Sequence, residues 1–161
     1  MPRPHRNLRR IPSQAGLTLL ELIIACAILM ILSAAAVPIA RHNIVRQREL
    51  ELRRDLREIR DAIDHYKDAA DRNLIRVEVG SEGYPPDLET LVRGVQLGAT
   101  ADRKVRFLRQ IPADPLTGRA EWGLRAVQDD PDSRSWGGKN VFDVYSRATG
   151  TALDGTRYAD W

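Results

Sequence analysis

Residues 17–40 form an apolar run, LTLLELIIACAILMILSAAAVPIA, and this run constrains the fold more than any other feature of the chain. At a rise of about 1.5 Å per residue, a helix over these positions is about 36 Å long. That length is enough to cross the hydrocarbon core of a bilayer with some tilt. Residues 1–16 contain four arginines and no acid. The sequence therefore predicts a single transmembrane helix whose N-terminal end lies in the cytoplasm.

Two details of this run distinguish it from an ordinary secretory signal peptide. A signal peptide has a shorter apolar region, about 7–15 residues, and is cut after that region. Here the small residues Ala15 and Gly16 come before the apolar run, so cleavage beside them would leave the helix on the mature protein. Glu21 also places a carboxylate inside the run. Acids within a bilayer cost about 2.5–3.5 kcal/mol on insertion scales and usually have a partner or a function.

The segment from Gln14 to Leu22, QAGLTLLEL, resembles the N-terminal signal of type IV pilins and type II secretion pseudopilins. The resemblance implies that a prepilin peptidase cuts after Gly16 and methylates the new N-terminus at Leu17. It also implies that Glu21 pairs with the Leu17 amine of an adjacent subunit and sets the register of assembly. An amine and a carboxylate that are each costly to bury alone are tolerable as a pair. Leucine stands at position 17, where the family usually has phenylalanine.

Pro38 matches a proline in the N-terminal helix of the same family, and the resemblance implies that it kinks or loosens the helix there. Proline removes a backbone hydrogen bond inside a helix, which supports this interpretation. A proline that is merely tolerated at the end of a membrane helix is the alternative.

The positive charge of the chain is concentrated in the leader. The formal net charge is +3, and removal of residues 1–16 leaves 21 basic against 22 acidic side chains, a net charge of −1. A nucleic-acid-binding protein should carry its positive charge on the folded domain, so we predict no nucleic-acid partner. The single cysteine, Cys26, lies in the apolar run and cannot form an internal disulfide.

An apolar stripe follows the run and predicts that the helix continues to about Ala70. Its members recur at steps of three or four residues, or multiples of these, with charges between them: Ile44, Leu52, Leu56, Ile59, Ile63 and Tyr66. The stripe is too short to require a coiled coil. The predicted organisation is a cleaved leader at 1–16, a transmembrane and polymerisation helix at 17–40, an amphipathic continuation at 41–72, and a head at 73–161.

The head is predicted to contain one short helix and a small sheet. Asp87 is a plausible N-cap for a helix over 87–92. Residues 122–127 and 141–146 predict an antiparallel pair of strands, and a third short strand is expected near the C-terminus. The fold class is therefore α+β, with the long helix packed on a small antiparallel sheet as in the pilin-like family. The segments GYPPDLETLV (83–92) and IPADPLTG (111–118) resemble loops of the major, G-type pseudopilin.

The resemblance to G-type pseudopilins also implies a calcium ion in the loop that follows the last strand. Calcium takes six to eight oxygen ligands, and Asp154 and Asp160 are the candidate ligands here. Thr149 stands where the family usually has an acid. A solvated turn at Asp154 is the alternative. The separate cluster Asp129, Asp130 and Asp132 predicts a solvated loop rather than a metal site.

No catalytic motif is recognisable in the sequence. The histidines are scattered, and no serine or cysteine lies in a nucleophile motif. A signal-anchored periplasmic enzyme would leave the pattern from Gly16 to Glu21 unexplained, so we predict that the protein is not an enzyme. Three tryptophans, Trp122, Trp136 and Trp161, are expected in the core or at subunit contacts.

The resemblance implies a structural subunit of the pseudopilus of a type II secretion system. Its expected partners are copies of itself, minor pseudopilins, the prepilin peptidase, the inner-membrane assembly platform and, before assembly, membrane lipid. The expected location is the bacterial inner membrane, with a single pass and a periplasmic head. The alternative is a type IV pilin or minor pilin with a role in adhesion, motility or DNA uptake.

Overall fold

The computed structural model describes residues 18–98 and 104–161, except for the side chains of residues 35–41. The predicted leader lies outside the described residues. The chain divides into two compact units, residues 1–41 and 42–161. The described elements in chain order are α1 (Leu19–Asp71), α2 (Leu88–Arg93), β1 (Val95–Gln96), β2 (Lys104–Val105), β3 (Gly123–Arg125), β4 (Asp143–Tyr145) and a 3₁₀ turn (Tyr158–Asp160).

Helix α1 is continuous over 53 residues and ends close to the predicted position. Asn73 has φ 54°, a left-handed conformation that asparagine tolerates. The backbone N–H of Leu74 then donates to the carbonyl of Ala69, and that of Asn73 donates to the carbonyl of Ala70, both at 2.9 Å. This pair of bonds satisfies carbonyls that the helix end would otherwise leave without partners. Helix α1 therefore stops at a specific capping motif.

The head has one hydrophobic core, and the second half of α1 forms one side of it. Leu52, Ile59 and Ile63 of α1 are fully buried. They pack in one cluster with side chains from the rest of the head, among them Leu91, Leu108, Trp122, Val141 and Val144. Five of the six predicted stripe residues are buried, but Ile44 is 52% exposed. The prediction that Ile44 belongs to the buried apolar stripe was therefore wrong. Ile44 lies more than one turn before Glu49, the first buried residue among the described side chains of α1.

Helix α2 leads into a small sheet that the sequence did not predict. The Asp87 carboxylate caps the helix, as expected, by accepting from the backbone N–H of Thr90 at 2.6 Å. Gly94 ends the helix with φ 77°, and a Cβ there would lie 2.6 Å from the carbonyl oxygen of Val105. Only glycine fits this close approach. Strands β1 and β2 then pair antiparallel.

The second sheet is the predicted antiparallel pair, shortened to three residues in each strand. Gly123 of β3 lies opposite Tyr145 of β4. A Cβ at Gly123 would lie 2.2 Å from the Tyr145 ring, so glycine is needed for the ring to cover the strand. The third strand predicted near the C-terminus does not form. That region has one isolated bridge, between Thr151 and Arg157, and then the 3₁₀ turn.

The described residues confirm the α+β class. A long N-terminal helix is combined with small antiparallel sheets, and the second half of that helix forms the side of the head core. This is the arrangement that the pilin-like resemblance implied.

Candidate functional site

The start of α1 positions the carboxylate that the sequence singled out. The side-chain hydroxyl of Thr18 accepts from the backbone N–H of Glu21 at 3.2 Å, and the Thr18 carbonyl accepts from Leu22 at 3.1 Å. Thr18 is thus the N-cap of α1, and Glu21 lies in its first turn. A threonine followed three residues later by glutamate, just before an apolar run, is a capping signal that was visible in the sequence. The predicted cleavage site, Gly16 and Leu17, lies outside the described residues.

Glu21 is exposed on the first turn of α1. A negative charge near a helix N-terminus interacts favourably with the helix dipole. That effect explains why a carboxylate is tolerated at the helix start. Because Glu21 is exposed, its side chain is also accessible to a neighbouring molecule. The register-setting role of Glu21 with Leu17 stays a prediction.

The first part of α1 is apolar on almost every side, and its described side chains have little cover from the other described residues of the unit 1–41. The described side chains from Leu19 to residue 34 are exposed apart from the half-buried Ala27, and Cys26 is exposed as well. Leu19 and Ile31 are more than 70% exposed. A helix that is hydrophobic all round is typically covered in a larger assembly or a membrane.

The predicted transmembrane helix, residues 17–40, extends beyond the side chains that the structure describes. Among the residues that were described, no helix proved both long enough and apolar enough to cross a membrane. Pro38 lies within α1, which is assigned as helix through this position. The kink at Pro38 stays a prediction.

The first candidate calcium ligand is already engaged by other side chains. One oxygen of Asp154 accepts from the Arg53 guanidinium at 2.8 Å. The other accepts from the backbone N–H and the hydroxyl of Thr156, at 3.0 and 2.5 Å. The hydrogen bonds from Thr156, and then the one from Arg53, lower the pKa of Asp154 below its usual value. The carboxylate is therefore held ionised, with an arginine where a cation would bind.

The second candidate ligand is engaged in the same way. The Asp160 carboxylate accepts from Arg157 at 2.9 Å and from Arg134 at 3.4 Å. Within the described parts of the chain, no group of three or more histidine, cysteine, aspartate or glutamate side chains could hold a metal ion. Since arginines occupy both carboxylates, these residues as placed do not fit a calcium ion. Calcium binding stays a prediction of the resemblance.

The C-terminal loop is fastened to α1 by a buried acid that the sequence analysis missed. Glu49 is only 9% exposed. One of its oxygens accepts from the backbone N–H of Leu153 at 2.8 Å and from the hydroxyl of Tyr158 at 3.0 Å. Burial, followed by the bond to Glu49, raises the pKa of Tyr158 above its usual value. The sequence did contain a signal for the burial of Glu49, because this residue lies three positions before Leu52 and therefore on the apolar face of the helix.

Arg60 makes a second connection between α1 and the end of the chain. Its guanidinium donates to the Asp143 carboxylate at 2.7 Å and to the carbonyls of Val144 and Trp161 at 3.0 and 2.9 Å. Arg53 also stacks on the Trp161 ring, at 3.9 Å from the ring centroid. Glu49, Arg53 and Arg60 together hold the C-terminal loop against the helix. We call these three side chains the loop clamp.

The aspartate cluster in the loop between β3 and β4 has a structural role. One oxygen of Asp129 accepts from the backbone N–H groups of Ala126 and Gly137, at 2.7 and 3.0 Å. These bonds lower the pKa of Asp129. Asp130 and Asp132 are exposed. Asp129 thus closes a surface loop, a role that the sequence analysis did not predict, and Asp130 and Asp132 lie on that loop.

The tryptophans differ in their surroundings. Trp122 is a core residue at 3% exposure, and its indole N–H donates to the carbonyl of Pro112 at 3.0 Å. Trp136 is 40% exposed and donates to the carbonyl of Asn140 at 2.7 Å. The prediction of a core position is confirmed for Trp122, whereas subunit contacts by Trp136 or Trp161 stay predictions.

Because arginines take the cation's place in the loop, we expect calcium to leave the stability of the head unchanged. The full chain would be purified in detergent and melted with a chelator, then again after calcium is added back. The same pair of melts on Asp154→Ala serves as the control, since this variant lacks the central candidate ligand. A Tm that rises with calcium in the parent protein, but not in Asp154→Ala, would contradict the expectation and support a metal site.

Comparison with known proteins gives one match, and it lies at the N-terminus. The family model described as the prokaryotic N-terminal methylation motif matches residues 11–37. Comparison with curated proteins found no match, and comparison with solved structures found none either. The matched range includes Gly16, Leu17 and Glu21, the residues that the sequence analysis placed at the cleavage and register site. The chain therefore carries the N-terminal signal of a type IV pilin-like protein, a signal that pilins and pseudopilins share.

Proposed function

We propose that this protein is a structural subunit of the periplasmic pseudopilus of a type II secretion system. The observation that carries the proposal is the methylation motif over residues 11–37, which contains the apolar first part of α1, where the large apolar side chains that the structure describes are exposed. Burial of the apolar surface of such a helix is favourable, by about 25 cal/mol per Å² of apolar area. Lipid before assembly and other copies of the helix after assembly are the environments that supply this burial.

The proposed assembly site combines the new N-terminus at Leu17 with the Glu21 carboxylate. On this proposal, a prepilin peptidase removes residues 1–16 and methylates Leu17. The exposed position of Glu21 on the first helical turn supports a contact with a neighbouring subunit. The work of the protein is mechanical, with the inner-membrane platform and minor pseudopilins as further partners, and it catalyses no reaction. We place the head in the periplasm because the arginine-rich leader favours the cytoplasm.

The first test is the N-terminus of the protein produced with and without a prepilin peptidase, determined by intact mass of the membrane fraction. We expect loss of residues 1–16 only when the peptidase is present. Gly16→Arg is the matched control, since a bulky charged residue before the cut should block processing without altering the described helix. An intact N-terminus in the presence of peptidase, or a cut after the apolar run, would contradict the pilin-like pathway.

The second test separates a secretion pseudopilus from a surface pilus. Deletion of the gene from its own bacterium should abolish the release of a periplasmic substrate across the outer membrane and leave surface pili in place. If instead surface pili are lost while secretion continues, the type IV pilin alternative is correct. The proposal of a pseudopilin would then be wrong.

A further inference from the structure

Three arginines from separate parts of the head line one cavity, whose volume is about 310 Å³. Arg134 comes from the loop between β3 and β4, Arg147 follows β4, and Arg157 directly precedes the 3₁₀ turn. The other lining residues are small, Thr149 and Gly150 among them. The walls of this cavity therefore consist of three long cationic side chains with little bulk between them. We call it the arginine cavity.

The backbone that carries these arginines is fixed in place by hydrogen bonds. The carbonyl of Gly150, in the loop that carries Arg147, accepts from the backbone N–H of Tyr158 in the 3₁₀ turn at 3.3 Å. The carbonyl of Arg134 accepts from the Tyr145 hydroxyl of β4 at 3.2 Å. The three parts of the chain that form the cavity are thus joined to one another before any ligand binds.

One carboxylate holds two of the arginines side by side. Arg134 and Arg157 donate to the same oxygen of Asp160, at 3.4 and 3.2 Å. Arg157 also donates to the second oxygen of Asp160, at 2.9 Å. Two positive charges therefore share one negative charge at the wall of the cavity.

The cavity has an excess of positive charge. Among the residues that the structure describes, Arg147 forms no ion pair. Asp132 is a further acid near Arg157. Three arginines against Asp160 and Asp132 leave a net charge of +1. Arginine does not lose its proton in proteins, so deprotonation does not relieve the repulsion. A concave surface with an excess of one charge attracts ions of the opposite charge.

The donors around the cavity suit an oxyanion with several oxygens. A guanidinium group has five N–H donors in a planar fork that matches the spacing of phosphate oxygens. Arg134 uses a single side-chain N–H in the contacts of the described residues. A carboxylate has two oxygens, whereas a phosphate group has more and can accept from several arginines at once. The arrangement of donors therefore favours phosphate over a single carboxylate.

We propose that the arginine cavity binds a phosphate group, with Arg134, Arg147 and Arg157 as its donors. Two sources share this chemistry, namely free phosphate and the phosphodiester of a lipid headgroup. The inference is independent of the proposed function, because the cavity lies in the head and the methylation motif lies at residues 11–37. The three arginines are exposed, so binding should weaken as the salt concentration rises.

The test is isothermal titration calorimetry of the full chain in a non-ionic detergent at low salt, with inorganic phosphate as the first probe. Calorimetry is more specific than melting here, because phosphate also stabilises folded proteins by exclusion from their surface. We expect saturable binding of one phosphate per chain, with lower affinity at higher salt. The second probe is glycerophosphoglycerol, a lipid headgroup without acyl chains. Absence of saturable heat from both probes would overturn the inference.

Arg147→Gln removes the arginine without an ion pair among the described residues, so it should leave the fold intact. We expect the affinity for the tighter-binding probe to fall by about tenfold, as for the loss of one charge-assisted hydrogen bond. Arg147→Lys should lose less, because it keeps the charge without the planar fork. The matched control is Arg76→Gln, an exposed arginine outside the cavity lining, which should bind as the parent does. Unchanged affinity in Arg147→Gln, or an equal loss in Arg76→Gln, would overturn the assignment.

Asp160→Asn should change the affinity in the opposite direction. Asparagine keeps the size of the side chain and removes the negative charge that engages Arg134 and Arg157. We therefore expect phosphate to bind several-fold more tightly to this variant, with circular dichroism as the check of its fold. Weaker binding to folded Asp160→Asn would show that these two arginines are not ligands, and the inference would fail.

The two phosphate probes also distinguish the source of the ligand. Tighter binding of glycerophosphoglycerol than of inorganic phosphate would support the site and identify a lipid headgroup as its ligand. The reverse order would support the site and identify free phosphate. A short glutamate peptide is the probe for an acidic protein partner. If this peptide binds more tightly than both phosphate compounds, the cavity is a protein contact and the phosphate site is overturned.

Discussion

The variant Glu21→Ala is expected to be cleaved normally after Gly16 but to give at least about a hundredfold fewer filaments. The reason is that breaking a buried ion pair costs about 3–5 kcal/mol. Removal of the carboxylate would leave the Leu17 amine of the adjacent subunit buried without a partner. On the proposed pathway cleavage comes before assembly, so processing and assembly should separate in this variant. Intact mass measures the first, and pelleting of filaments measures the second.

The substitution Glu21→Ala removes the carboxylate without removing the N-terminal cap of α1. Thr18 caps α1 through the backbone N–H of Glu21, at 3.2 Å, and alanine retains that N–H. Thr18→Ala is the matched control, because it removes the cap, at a cost of about 1 kcal/mol, and keeps the carboxylate. We expect Thr18→Ala to assemble. Filaments of Glu21→Ala at wild-type yield would show that the carboxylate does not set the register.

Long helices and their caps could be predicted from the sequence because their signals are local. The apolar stripe predicted α1 almost to its end, and Asp87 caps α2 as expected. Strands β1 and β2 are two residues each, too short for an alternating pattern to stand out. They form because Gly94 allows a close approach to Val105, which lies eleven residues later in the chain, so no pattern of neighbouring residues indicates the contact.

The predicted third strand failed for a different physical reason. A strand needs a neighbour that takes up its backbone groups. Near the C-terminus, side chains of α1 take this role: Glu49 accepts from the N–H of Leu153, and Arg60 donates to the carbonyl of Trp161. These partners lie about a hundred residues earlier in the sequence, so no local pattern indicates them. The pairing of the candidate calcium ligand Asp154 could not be predicted for the same reason, because its partner Arg53 lies far away in sequence, on the helix.

The variant Asp114→Ala is expected to have the largest effect on the stability of the head, a loss of about 3 kcal/mol in the free energy of unfolding. Asp114 is fully buried in the turn that resembles the family's proline-aspartate-proline segment. One of its oxygens accepts from the backbone N–H of Leu116 at 2.8 Å and from that of Thr117 at 3.3 Å. The other accepts from the Ser146 hydroxyl at 2.6 Å.

Alanine at position 114 removes every one of these acceptors at once. The Ser146 hydroxyl connects the turn to the end of β4 and itself accepts from the N–H of Ala148 at 3.0 Å. The loss of hydrogen bonds therefore extends from the turn to the start of the C-terminal loop. Buried donors without partners each cost about 1–3 kcal/mol. Ser146→Ala removes only one of the three donors to Asp114, so its loss should be smaller than that of Asp114→Ala.

The free energy of unfolding is measured by urea titration of the full chain in detergent, followed by tryptophan fluorescence. The core residue Trp122 reports on the same region through its bond to Pro112. The matched control is Asp132→Ala, an aspartate on an exposed loop, for which we expect a change within about 0.5 kcal/mol. Equal stability of Asp114→Ala and Asp132→Ala would contradict the assignment of the buried carboxylate as the connection between the turn and β4. The apolar core and the loop clamp would then be sufficient to position the C-terminal loop.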